Sequence, residues 1–355
     1  MPGFPSIAAL VAVALNPAPA LPETHTASEL TTRQLAGQRI VCGFDGHTAP
    51  ASLLNAIGNG EIGGVILFDK NIRNRRQVAR MSAAIQATQR PAPLRPPILI
   101  SIDQEGGQVK RLPGPPKYSA EEMGARGPKA SRSQGAATGA SLKRVGVNVD
   151  LAPVLDVARP SGFIADQDRG FSSKAGKVAG SGVAFAEGLQ GAGVAATAKH
   201  FPGLGSTAAN TDKRPATIRL SGSKLRAMDE APYTRYIAAG GKLVMISSAR
   251  YPGLGAGLPA SQDRVVATDE LRGRLGFEGV SITDSLEAPG ATAGASPATV
   301  ATRAAAAGTD ILLYVHCDAG VKAAAALLDG LDSGTLDRAA FEQSVDRILS
   351  LRATL

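Results

Sequence analysis

Short apolar runs recur along the chain, and amphipathic stretches separate them. The runs at 39–44, 64–68, 98–103, 145–151, 194–199, 242–247, 280–284 and 310–315 predict eight strands. They are apolar throughout rather than alternating, which is the pattern of a strand buried on both faces, as in a parallel sheet covered by helices. Between them, 75–89, 130–144, 174–190, 221–239, 268–275 and 297–307 carry a helical period. Eight such alternations predict an α/β fold, a single (β/α)₈ TIM-type barrel over residues 28–355. Two more helical stretches, 319–331 and 335–351, close the ring or pad its outside. A doubly wound open sheet is the alternative. Against it, the turn after the first strand, Cys42-Gly43-Phe44-Asp45-Gly46-His47, lacks the G-x-G-x-x-G spacing of a dinucleotide-binding sheet.

With 44% hydrophobic and 19% charged residues in 355, the composition is that of a globular protein with a sizeable core. No apolar run reaches the length of a membrane span. The net charge of +8 is spread along the chain, and its densest cluster, Arg73-Asn74-Arg75-Arg76, reads as the solvated start of a helix. No nucleic-acid partner is therefore expected. Residues 1–27 combine an apolar stretch at 7–15 with Ala18-Pro19-Ala20, a pattern like a signal peptide and its cleavage site, although the usual positive start is missing. Export to the cell envelope or beyond is the expectation, and a disordered Ala/Pro extension the alternative. Cys42 and Cys317 have no metal-ligand spacing to a histidine and read as buried thiols. They adjoin the first and last strands, which are neighbours in a closed barrel, so an exported chain could pair them. Neither a metal nor an organic cofactor is expected.

In a barrel, the strands' C-terminal ends carry the chemistry. The polar residues fall there: Asp103 through Arg111 after the third strand, Asp150, Asp156 and Arg169 after the fourth, Lys199 and His200 at the fifth, Asp284 at the seventh. The segment from Lys199 to Asp212 places an amine, an imidazole, a Pro-Gly turn and a carboxylate within fourteen residues. Such groups at a buried strand end are costly unless they meet a ligand or each other. Donors from Arg111, Arg169, Lys199 and His200 beside acceptors from Asp103 and Asp284 suit a polyhydroxylated substrate. Aromatic residues make up only 4% of the chain and Trp is absent, so a pocket gripping one terminal sugar is favoured over a stacking platform for long polysaccharides.

Three motifs, Asp103-Gln104-Glu105-Gly106-Gly107, Lys199-His200-Phe201-Pro202-Gly203 and Thr283-Asp284-Ser285-Leu286, resemble those of glycoside hydrolase family three, especially its single-domain β-N-acetylglucosaminidases. The resemblance covers residues 28–352. It implies a TIM-like barrel, a retaining mechanism with Asp284 as nucleophile, and a seat for the non-reducing-end sugar made by Asp103, Arg111, Arg169, Lys199 and His200. It also implies a small carbohydrate substrate, a terminal β-linked N-acetylglucosamine above all, with peptidoglycan fragments as a source. The family's N-acetylglucosaminidases carry an Asp-Ser-His triplet on the loop after strand five, whose Asp-His pair protonates the leaving group. Here that triplet is Asn210-Thr211-Asp212, and the second histidine usual after Pro-Gly is Leu204. Asp212 would replace the histidine as acid/base only with a pKa raised by burial or by the charge of Asp284. Two further readings stand beside this one: a sugar-binding pseudoenzyme that has lost its proton donor, and a Schiff-base lyase acting through Lys199.

Overall fold

The computed structural model describes residues 1, 3 and 26–355. The signal-peptide reading of residues 1–27 falls almost wholly outside them. Eight strands form the barrel: β1 Ile40–Cys42, β2 Gly64–Leu67, β3 Leu99–Ile102, β4 Val149–Asp150, β5 Ala195–Phe201, β6 Leu243–Ile246, β7 Val280–Thr283 and β8 Leu312–Tyr314. Each pairs in parallel with the next, and β8 pairs with β1. The seam between β7 and β8 closes through Thr283 N–H to Ile311 O and Ile311 N–H to Ser281 O, both 2.9 Å. Among the described residues the eight-stranded sheet closes on itself, which rules out the doubly wound alternative.

Side-chain alternation along the strands divides the core into two shells. Val41, Ile66, Leu99, Val149, Ala195, Leu243, Met245, Ile282 and Leu313 fill the barrel. Their neighbours Ile40, Val65, Ile100, Ala196, Val244 and Leu312 face the surrounding helices. The continuous apolar runs of the sequence follow from burial on both sides. The last helix, Arg338–Ala353, inserts Ile348 and Leu351 into the inner cluster, so it plugs the barrel instead of only padding it.

Two boundaries differ from the sequence reading. The strand expected at 145–151 pairs only at Val149–Asp150, because Gly146 at φ 77° turns the chain out of the helix Pro128–Lys143. The helix expected at 221–239 is interrupted by a π-turn, Leu225–Asp229, before it resumes at Ala231–Ala238 with Pro232 in its first turn, where a missing N–H costs nothing. Cys42 and Cys317 are joined in a disulfide, with Cα atoms 4.9 Å apart, which corrects the reading of two free thiols. The bridge ties β1 to the helix Cys317–Asp332 that follows β8. Among the described residues, no helix is long and apolar enough to cross a membrane.

Candidate active site

At the C-terminal ends of the strands a cavity of about 280 Å³ opens, and all seven residues singled out in the sequence line it. Asp103 ends β3, and a hairpin of Gln104–Gly106 with Val109–Lys110 follows. The Gln104 amide fixes this hairpin: its Nε2 donates to Leu112 O at 2.7 Å and Pro115 O at 2.8 Å, while its Oε1 accepts from Leu112 N–H at 2.9 Å. Arg111 is thereby held at the rim, where it pairs with Asp69 at 3.1 Å. Gly106, at φ 103°, passes so close to the chain that an added Cβ would lie 2.3 Å from Tyr118 O, so no other residue fits there.

The charged floor is continuous. Lys199 Nζ lies 2.7 Å from both Asp103 Oδ1 and Glu105 Oε1. Arg169 completes the chain with a bidentate pair to Glu105, both contacts 2.8 Å. Burial alone would push the Glu105 carboxyl up, but Arg169 and Lys199 outweigh it and hold the pKa at about 2. Burial likewise works against the Lys199 ammonium, and Asp103 and Glu105 reverse it, leaving the pKa raised. Beneath them sits Asp150, fully buried, with only Oδ1 satisfied, by Gln104 N–H at 3.0 Å. Burial, the largest cause, drives its pKa well above the usual carboxylate range.

On β5, His200 Nδ1 donates to Asp156 Oδ2 at 2.7 Å. The other Asp156 oxygen accepts from His200 N–H at 3.2 Å and Leu204 N–H at 2.6 Å. This buried carboxylate fixes the ring and the start of the loop together, which leaves Nε2 of His200 for the cavity. Leu204 is buried and gives its backbone to Asp156, so no second imidazole enters here. Further along, Asp212 N–H donates to the Asn210 side chain at 2.8 Å, and Gly290 N–H donates to Thr211 O at 2.9 Å. These contacts tie the loop to the segment after β7. Asp284, at the end of β7, accepts from Ser285 N–H at 2.8 Å.

Asp212 is exposed, and it lines the cavity together with Asp284. Its pKa is raised, first by the loss of water around the carboxyl and next by the charge of Asp284, against opposing terms from His200 and Arg169. Solvent contact at the mouth weakens this effect without changing its sign.

A family model, the glycosyl hydrolase family 3 N-terminal domain, matches residues 33–351. The chain belongs to this family. Membership makes it a glycoside hydrolase. A relative from Arthroderma benhamiae, described as an uncharacterized secreted glycosyl hydrolase, is 39% identical over 90% of this chain and 93% of its own. The β-N-acetylhexosaminidase of Beutenbergia cavernae superposes with a TM-score of 0.84 at 31% identity, covering 91% of this chain and 98% of that one. A family 3 β-N-acetylglucosaminidase from Paenibacillus also reaches 0.84, at 33% identity, and the match spans 92% of this chain but 63% of that longer one.

Two residues that pair with the cavity's charged groups were given no site role in the sequence reading. Glu105 stands two positions after Asp103, the spacing that returns to one face of an extended chain, and that parity was the available signal. Asp156 stood out as a strand-end carboxyl, but its pairing with His200, 44 residues away, carried no local signal.

Proposed function

We propose that the chain is a retaining β-glycosidase that releases a terminal β-linked N-acetylglucosamine, with Asp284 as nucleophile and Asp212 as acid/base. The observation that carries this reading is the placement of two carboxyl groups on one cavity, with the pKa of Asp212 raised partly by the charge of Asp284. Two carboxyls of unlike environment are the equipment of retaining hydrolysis. Asp284 forms a bond to the anomeric carbon as the glycosidic bond breaks, and Asp212 gives its proton to the departing oxygen. The ester at Asp284 is uncharged, so one cause of the raised Asp212 pKa disappears. Asp212 then takes a proton from water, which attacks the same carbon and frees Asp284.

Lys199, Arg169, Asp103, His200 and Arg111 seat the sugar in this scheme through charge-assisted hydrogen bonds to hydroxyls. The N-acetylglucosamine assignment rests on the names of the structural relatives, and cell-wall fragments are the proposed source of substrate. Export agrees with the disulfide, since such bonds persist in oxidising compartments, and with the secreted description of the Arthroderma relative.

Asp212→Ala tests the assignment. For substrates with poor leaving groups, kcat/KM should fall by about 10²–10⁴, the range for general acid catalysis, while activated aryl glycosides lose little in the glycosylation step. Azide should restore turnover by attacking the glycosyl-enzyme without a general base. Asp284→Ala should abolish turnover of every substrate. A flat response to leaving-group pKa with no azide effect removes Asp212 as acid/base; no turnover of any aryl β-glycoside by the unmutated protein favours the pseudoenzyme.

A further inference from the structure

Between Asp69 and Asp103 the chain carries seven basic residues and no acidic one, and between Glu122 and Asp150 five more with none. Residues 70–149 hold 15 Lys and Arg against 4 Asp and Glu, a net +11, in a chain whose total is +8. The rest of the molecule is therefore at −3. Two neighbouring helices, Arg75–Ala87 and Pro128–Lys143, gather much of this charge on one side of the barrel. Arg75 joins them, donating to Ser141 Oγ at 2.9 Å and Ser141 O at 2.7 Å. Burial and then the nearby Arg144 guanidinium lower the pKa of Arg75, so the two helices' cations feel each other.

Arg73, Arg76, Arg80, Lys143 and Arg144 are exposed, and among the described residues none of them has an ion-pair partner. Other exposed arginines do have one, such as Arg33 with Glu61, Arg126 with Glu122, Arg132 with Glu187 and Arg338 with Glu342. Unpaired cations on these adjoining segments repel one another, and a polymeric anion relieves that repulsion while releasing its own counterions.

We propose that this face binds a linear polyanion outside the cell, one bearing phosphate or carboxylate groups at regular spacing. The chemistry favours this over two other anions. No aromatic residue occurs between Phe68 and Tyr118 or between Tyr118 and Phe163, so the patch lacks the stacking side chains that hold single-stranded nucleic acid. The large apolar side chains exposed among the described residues are Met1, Met228 and Val321, none of them on these helices, so nothing there would enter a membrane. Phe68, five residues before Arg73, lines the catalytic cavity. A polymer held on the patch would therefore keep attached or neighbouring glycan close to the cavity mouth.

The experiment measures binding to long-chain polyphosphate and to polygalacturonate, which separates phosphate from carboxylate, across a salt series. The unmutated protein should bind at least one of them, with log K falling against log salt at a slope of roughly −3, as expected for four or five cations on a flexible chain. The combined variant Arg73→Glu/Arg76→Glu/Arg80→Glu/Arg144→Glu should lose at least about tenfold in affinity. It should keep its kcat/KM on a small aryl glycoside. A control of equal charge change on other faces, Lys177→Glu/Lys224→Glu/Arg235→Glu/Lys322→Glu, should bind nearly as the parent does. If the reversal does not fold, Arg76→Gln/Arg80→Gln reads the same loss at a smaller size. Equal losses in patch and control variants would leave only net charge and overturn the proposal. So would binding to neither polymer at 50 mM salt, tighter binding to duplex DNA, or binding confined to phosphatidylglycerol vesicles.

Discussion

Glu105→Gln should cost stability out of proportion to its size. Glu105 is 4% exposed, its two oxygens each accept from Arg169 at 2.8 Å, and Oε1 also lies 2.7 Å from Lys199 Nζ. Its pKa falls from 4.5 to about 2, and a shift of that size corresponds to about 3 kcal/mol favouring the ionised folded state. The amide keeps one acceptor oxygen but turns an NH₂ toward a cation, leaving Arg169 and Lys199 with one counter-charge fewer. Breaking a buried ion pair in this way costs on the order of 3–5 kcal/mol, so urea unfolding at pH 7 should show a loss of that size. The sign of the pH effect follows from the lowered pKa. The stabilisation is complete above about pH 4.5 and is lost as pH falls through about 2, whereas Gln does not titrate. The gap between parent and variant should therefore narrow from pH 5 to pH 3. A difference under about 1 kcal/mol at pH 7, the size of an ordinary surface pair, would refute the reasoning, as would a gap indifferent to acid.

Gly290→Ala should displace the loop that carries Asp212, because the new methyl would lie 2.7 Å from Thr211 O and 3.0 Å from Thr211 Cβ. Stability should drop by about 1–3 kcal/mol, with turnover of poor-leaving-group substrates reduced more than that of activated ones; equal effects on both would separate the loop's position from proton transfer. Removing the disulfide in Cys42→Ala/Cys317→Ala frees a loop of 275 residues, with an expected loss on the order of 3–5 kcal/mol in urea unfolding without reductant. An unchanged midpoint would contradict the bond. Lys199→Ala should weaken a competitive sugar-like inhibitor by about 1–3 kcal/mol, and unchanged affinity would take Lys199 out of the sugar seat.

The barrel was legible because its strands are buried on both faces: Val41, Ile66 and Leu99 point inward and Ile40, Val65 and Ile100 outward, and both sets must be apolar. Boundaries were less so. Nothing in Val145 to Leu151 distinguishes a strand from a helix cap followed by two paired residues; that outcome depends on how Gly146 turns under Ser82. The site residues were legible as strand-end polar groups, but their pairing was not. Lys199 could have met Asp103, Glu105 or Asp150, and only the hairpin geometry sets Asp103 and Glu105 against it while leaving one oxygen of Asp150 without a partner. The role of Arg347, which holds Asp310 at 2.7 Å beneath the barrel, is likewise a matter of how the last helix closes it.

The changes on the loop after β5 are coherent with each other if Asp212 is the proton donor. A histidine acid is helped by a neighbouring carboxylate, which favours its charged, proton-carrying form. A carboxylic acid carries its proton in the neutral form, and a second negative charge beside it would add to the one already supplied by Asp284. Asn210 avoids that extra charge and still accepts the Asp212 N–H at 2.8 Å, so the turn keeps its shape while the electrostatics change. What raises the pKa of Asp212 is then the desolvation of its carboxyl together with the nucleophile itself. If Asp284 is the proposed nucleophile, it loses its charge on forming the ester, so the coupling tightens the acid's hold on its proton before the first step and relaxes it before the second. On this proposal, acid and base duty come from one carboxyl whose environment is switched by the covalent step, without a separate residue to tune it.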